Sequence, residues 1–163
     1  MKGWPCPSIV DFVGAPAAGV TVAEGLVAHR DSTGKWVLGV SAVNQVPYVL
    51  WNGAAGDGDQ AHVFPSTATA SAAGYVQAGY GGVQGIAHIN QIEVETAQYA
   101  GTPQFGDSLY ADTDGVLKIC AGSAAVSGKL IVALVTKGVH TKPGTGAVSM
   151  ITYIPDNSKR ITA

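Results

Sequence analysis

Stretches rich in Val, Thr, Tyr and Ile run through most of this chain, broken roughly every eight to twelve residues by Gly, Pro, Asn or Asp. No window carries apolar residues at helical spacing between caps. Short strands joined by tight turns are what such punctuation encodes, so the expected fold class is all-β, a sandwich or small barrel. The strands read as Val20–His29, Lys35–Val43, Val46–Trp51, Ile92–Tyr99, Ser108–Asp112, Val116–Cys120, Leu130–Lys137 and Ala147–Ile154. Helix is limited to a turn or two near Thr67–Ala73, where alanine is frequent but no apolar face repeats.

Two hairpins can be placed by their turn chemistry. In Leu109–Lys118 the Asp114-Gly115 pair supplies the positive φ that a tight reversal needs, at the residue with no Cβ to clash. In Leu26–Val37 the stretch Asp31-Ser32-Thr33-Gly34 serves the same purpose with a longer loop. Both segments read Leu-x-Ala, then polar residues with an Asp, then Gly and a returning apolar strand. This echo fits a duplicated hairpin unit and equally fits generic hairpin chemistry.

Two regions depart from the strand pattern. Residues 1–19 form an N-terminal arm with Pro5, Pro7 and Pro16 among apolar side chains; residues 20–163 form the β-domain, including a Gly/Ala/Ser-rich insertion at about 52–85. An arm of this kind is expected to dock on a partner, and Trp4, Pro5, Ile9, Phe12 and Val13 are its candidate interface residues. The insertion is longer than ordinary loops and is either functional, partly disordered, or built of short strands that the pattern hides.

Charge narrows the partners. Only 12% of residues are charged and the formal net charge is -2, with nine Lys+Arg against eleven Asp+Glu. That leaves no basic surplus to neutralise phosphates, so neither nucleic acid nor an anionic membrane is an expected partner. The longest apolar run, Leu130–Val135, is far short of the roughly 18 residues of a spanning helix. Met1–Pro7 has one basic residue and no apolar h-region, so no secretory signal is expected. A weakly charged surface also gives little like-charge repulsion, which suits life in an assembly.

A search for chemistry finds no reaction centre. His29, His62, His88 and His140 have no metal-ligand spacing, and Cys6 and Cys120 form no C-x-x-C motif. Asp57 and Asp59 begin like a calcium loop, but no bidentate carboxylate follows. No G-x-S-x-G elbow is present, and Lys142–Gly146 lacks the order of a phosphate loop. Glu93 and Glu95 alternate on a strand and share a face; paired carboxylates can do acid–base work, but a solvated strand face gives the same pattern. The expectation is a protein that is not an enzyme, with no cofactor and no metal.

From Gln91 onward the chain resembles the capsid decoration, or cement, proteins of tailed bacteriophages. The residues that carry the likeness are Ile92-Glu93-Val94-Glu95, Phe105–Lys118, Leu130–Gly138 and Val148–Ile154. Family members have a G-D-x-L-Y-x-D-x-x-G hairpin leading to a central and a closing strand, and Gly106–Gly115 follows that hairpin. This chain departs in carrying Ala133 where glycine is frequent and in its long insertion. The resemblance implies a small β-barrel or tulip-like β-domain. It also implies a homo-oligomer, trimer favoured and dimer possible, assembled in the bacterial host cytoplasm. Such an oligomer binds the outer surface of the head and bridges subunits of the major capsid protein. The alternative is a carbohydrate- or receptor-binding β-module of a tail fibre or adhesin, suggested by scattered Trp and Tyr.

Overall fold

The computed structural model describes residues 11–14, 16–23, 25–51, 67–69, 83–87, 93–120, 128–141 and 148–156. These residues form twelve strands and no helix. In chain order they are β1 (Asp11–Gly14), β2 (Thr21–Ala23), β3 (Val27–Arg30), β4 (Trp36–Leu38), β5 (Tyr48–Trp51), β6 (Thr67–Thr69), β7 (Val83–Ala87), β8 (Val94–Thr96), β9 (Ser108–Ala111), β10 (Leu117–Ile119), β11 (Ile131–Thr141) and β12 (Ser149–Pro155). The all-β class is thus observed, and no helix among the described residues is long and apolar enough to cross a membrane.

Two five-stranded sheets account for most of the structure, in the orders β1-β7-β5-β3-β4 and β8-β12-β11-β9-β10, with β2 and β6 paired separately. The two orders are the same topology: in each, the first strand pairs the fifth, the fifth the fourth, the fourth the second and the second the third. The registers match as well. In the first hairpin Ala28 lies opposite Leu38, His29 opposite Val37 and Arg30 opposite Trp36; in the second, Leu109 lies opposite Ile119, Tyr110 opposite Lys118 and Ala111 opposite Leu117. Every partner is displaced by 81 residues (28 to 109, 38 to 119). The fourth strands repeat the pattern, with Val27 opposite Val49 as Ser108 is opposite Leu134, and Ala28 opposite Tyr48 as Leu109 is opposite Ala133.

Loop hydrogen bonds repeat too. Asp31 N donates to Lys35 O and Gly34 N to Asp31 O, as Asp112 N donates to Val116 O and Gly115 N to Asp112 O. Gly25 N donates to Leu50 O and Leu50 N to Leu26 O, as Gly106 N donates to Val135 O and Val135 N to Asp107 O. After each first strand the chain reaches across to the third through one parallel bridge, Pro16 to Trp36 and Tyr99 to Leu117. Apart from β2 and β6, the described strands therefore form two copies of one five-stranded unit, and among the described residues neither sheet's ladders close into a barrel.

Each unit has its own core. The first is built on Val22, Leu26, Ala28, Trp36, Tyr48 and Leu50, with the Trp36 and Tyr48 rings edge to face at 5.2 Å. The second is built on Leu109, Ala111, Leu117, Leu130, Val132, Ala133, Val135, Ile151 and Tyr153, joined by Val27 and Val40 from the first unit. Equivalent positions carry different sizes: Trp36 faces Leu117 in the correspondence, Tyr48 faces Ala133, and Gly85 faces Tyr153. Cores keep a fold under such exchanges when total volume and pattern are retained.

Two readings of the sequence change, and one of the alternatives left open for the insertion is met. The helical turn expected near Thr67–Ala73 is a strand over Thr67–Thr69, paired with β2, where the β-branched threonines favour the pleat. The single strand expected over Val20–His29 is two, because Gly25 turns the chain with φ of 83°. The insertion at about 52–85 holds β6 and the start of β7, so part of it belongs to sheets.

Candidate functional site

The best-defined constellation is the joint between the two units, made largely of backbone. Val27 N donates to Gly115 O at 2.9 Å and Val40 N to Ala111 O at 3.4 Å. Buried Thr96 donates its Oγ1 to Gly25 O at 3.1 Å and accepts from Gln98 N at 2.9 Å. The second unit's turn, Ala111–Val116, thus sits on a receiving face of the first formed by Gly25–Val27 and Leu38–Val40. Two glycines permit the approach: a Cβ on Gly115 would lie 2.8 Å from Val27 O, and one on Gly39 would collide with the Asp112 carbonyl.

Beside the joint lies an ion-pair cluster. Lys118 Nζ donates to Asp112 Oδ2 at 2.8 Å and lies 3.3 Å from Asp114 Oδ2; Lys129 is 3.8 Å from Asp112 Oδ1 and stands over the Tyr110 ring. The Lys118 hydrogen bond, with a further one from Thr113 N, holds the Asp112 carboxyl below the usual range. Asp31, its equivalent in the first turn, is also lowered, first by the Thr33 hydroxyl and then by Lys35 N. A depressed folded-state pKa contributes stability above the unfolded value of about 3.9 and loses it as pH falls through the folded value. Asp112→Asn should therefore cost about 1 kcal/mol or less near pH 7 and flatten the fall in stability below about pH 4, read from urea midpoints measured between neutral and acid pH.

Two open cavities flank the sheets. One, about 540 Å³, is lined by His29, Arg30, Asp31, Ser32, Asn44, Gln45, Val46 and Tyr48. His29 Nδ1 is 2.7 Å from Gly39 O and therefore donates, which leaves Nε2 to accept from Gln45 Nε2 at 2.9 Å. The Gln45 amide is fixed in that sense because its Oε1 accepts from Ser41 N and Ala42 N. The other cavity, about 530 Å³, is lined by Glu93, Glu95, Thr136, Lys137 and Thr152, so the two glutamates do share a face. His140 donates Nδ1 to Gly138 O at 2.8 Å and holds Nε2 3.5 Å from Glu95 Oε1. Glu93, Glu95 and Lys137 are solvent-exposed, as on a hydrated strand face. Among the described residues no three His, Cys, Asp or Glu side chains gather as a metal site.

Of the interface residues expected in the arm, Trp4, Pro5 and Ile9 lie outside the described residues. Phe12 and Val13 lie in β1, where the backbone pairs Phe12 with Gly85 and Val13 with Gln84 of the same chain. Residues 11–14 are thus an outer strand of the first sheet. Trp36, one of the aromatics considered for sugar stacking, is fully buried, and Tyr48 is 8% exposed. Cys120 carries a free thiol whose pKa burial pushes up. The joint is not legible in the sequence because its contacts are main-chain groups; Gly25, Gly39 and Gly115, all at positive φ, mark it. The sequence matches no protein-family model and no curated protein.

Proposed function

We propose that this protein is a head decoration protein of a tailed bacteriophage. It binds the outer capsid surface as a homo-oligomer, trimer or dimer, and bridges neighbouring subunits of the major capsid protein. The observation that carries the reading is that the segments responsible for the resemblance, the Gly106–Gly115 hairpin and the strands that follow, are neighbours in one sheet, β10-β9-β11-β12. Each unit, with the segment after its first strand bridged to its third at Pro16–Trp36 or Tyr99–Leu117, is read as a small barrel-like or tulip-like domain. Two such units on one chain offer two similar surfaces, and paired weak contacts on a repeating lattice multiply in avidity. Few charges and exposed apolar side chains at Val46, Phe105 and Val148 suit burial against a partner.

Because β1 belongs to the first sheet, the cut that tests the arm falls before Asp11. Removing residues 1–10 is expected to abolish co-sedimentation with expanded, undecorated heads and to leave the thermal melt of the chain unchanged. Full retention on heads would remove Trp4, Pro5 and Ile9 from the interface, and a full-length chain that does not bind heads would refute the decoration reading. The sugar- or receptor-binding alternative has one observation in its favour, the polar 540 Å³ cavity beside His29 and Gln45. It loses Trp36 and most of Tyr48 as stacking platforms.

A further inference from the structure

We propose that the cavity on the β8, β12 and β11 face of the second unit is a socket for an arginine side chain of a partner protein. The socket is tested without heads, so it stands apart from the decoration reading.

Strand pairing brings its residues together. Glu95 lies opposite Thr152 and Thr152 opposite Lys137, which sets one residue from each of three adjacent strands in a row. Glu93, two residues before Glu95, shares its face. The register shift between Val135 and Lys137 makes Thr136 the extra residue of a bulge, a device that re-aims a side chain, and Thr136 joins the lining of the cavity. A second shift, between Lys137 and His140, accompanies the approach of His140 to 3.5 Å from Glu95. The fold itself does not require these groups. In the first unit Val13 stands in the place of Glu95 and Gln84 in that of Thr152, and β5 ends at Trp51, the equivalent of Thr136.

The lining is rich in acceptors. Glu93 and Glu95 are exposed carboxylates, and Thr152, only 8% exposed, adds its hydroxyl to a cavity of about 530 Å³. Among the described residues two buried side-chain polar atoms have no hydrogen-bond partner, and they are Thr136 Oγ1 in this wall and His140 Nε2 beside it. With Nδ1 donating to Gly138 O, the neutral imidazole turns its Nε2 lone pair toward Glu95 Oε1. A lone pair held against a carboxylate is unfavourable away from water, and a cation on Glu95 offsets it.

Charge and shape then select the guest. A guanidinium carries donors only, in a planar fork that binds a carboxylate through parallel hydrogen bonds and keeps an edge for a neighbouring oxygen. It is less strongly hydrated than a lysine ammonium, so it leaves water more readily at an open site. Lys137, in the same wall, competes with the guest for the carboxylates.

An NMR titration of the full-length chain with N-acetyl-argininamide is the test, followed at the side-chain carboxyl carbons of Glu93 and Glu95. Saturable shifts at both are expected, with half-saturation at millimolar probe, the strength of one side chain taken out of an interface. Glu95→Gln, read at Glu93, should weaken binding by about fivefold or more, since the fork loses a charged acceptor. Lys137→Ala should strengthen binding about twofold, a gain that misfolding does not produce. Shifts that do not saturate by about 100 mM probe, saturation that Glu95→Gln leaves unchanged, or an equal response to N-acetyl-lysinamide would overturn the proposal.

Discussion

Trp36→Ala is expected to cost about 3–5 kcal/mol of folding stability, a large part of the roughly 5–15 kcal/mol that holds a domain of this kind together. The indole is fully buried at the centre of the first core, edge to face with Tyr48 and within a cluster of Val22, Leu26, Ala28 and Leu50. Among the described residues little stands ready to fill the space, since the β3 side chain in its core cluster is the small Ala28 and the first-unit equivalent of Tyr153 is Gly85. The backbone of Trp36 also accepts from Ala17 N, so collapse of the site would loosen the crossing that follows β1. Leu117→Ala, at the equivalent place in the second unit, should cost about 2–5 kcal/mol, less because a smaller side chain is lost. Urea denaturation of both variants checks this; a loss below about 1 kcal/mol for Trp36→Ala would mean that the first core is not organised around it.

Gly39→Ala is the second large effect, at about 2–5 kcal/mol. Part is conformational: Gly39 has φ of 77°, where an L side chain costs about 1–2 kcal/mol. The rest is steric, because the new methyl would strike the Asp112 carbonyl and the Thr113 Cα, which are main-chain atoms of the docked turn and cannot swing aside. Gly19→Ala is the matched control, with φ of 76° and, among the described residues, nothing within 4 Å of the new Cβ, so it should show the conformational part alone. Equal losses for the two variants would argue that the turn does not pack on Gly39.

Much of the fold was legible in the sequence, and the illegible part has a physical cause. Each strand read from Lys35 onward overlaps an observed one, because β-branched runs end at residues whose turn chemistry is specific, as at Asp112–Gly115, whereas β6 and β7 lie in or beside the stretch read as an insertion. The duplication was half visible. Matching Leu26-x-Ala28 to Leu109-x-Ala111 sets the units two residues out of register, whereas the strands align Ala28 with Leu109. A slip of two keeps every side chain on its own face, so alternation cannot detect it. In and around the two turns the residues that stay identical are Gly25 with Gly106, Asp31 with Asp112 and Gly34 with Gly115, each fixed by a backbone angle or a turn hydrogen bond. Core positions diverged in size, and in doing so they hid the repeat. The helical reading at Thr67–Ala73 followed alanine frequency, which pairing with β2 overrides at Thr67–Thr69. The site was least legible, because a joint made from Val27 N, Gly115 O and the absence of a Cβ on Gly39 leaves no side-chain motif.

On the proposed decoration function, the most direct measurement is a cryo-electron microscopy map of expanded, undecorated heads of a tailed bacteriophage that carries this gene, incubated with the full-length chain. Decoration is expected to add density on the outer surface where major capsid subunits meet, with two similar β-lobes for each copy. Heads that stay bare at saturating protein, while the same preparation binds a glycan or receptor ligand, would contradict it.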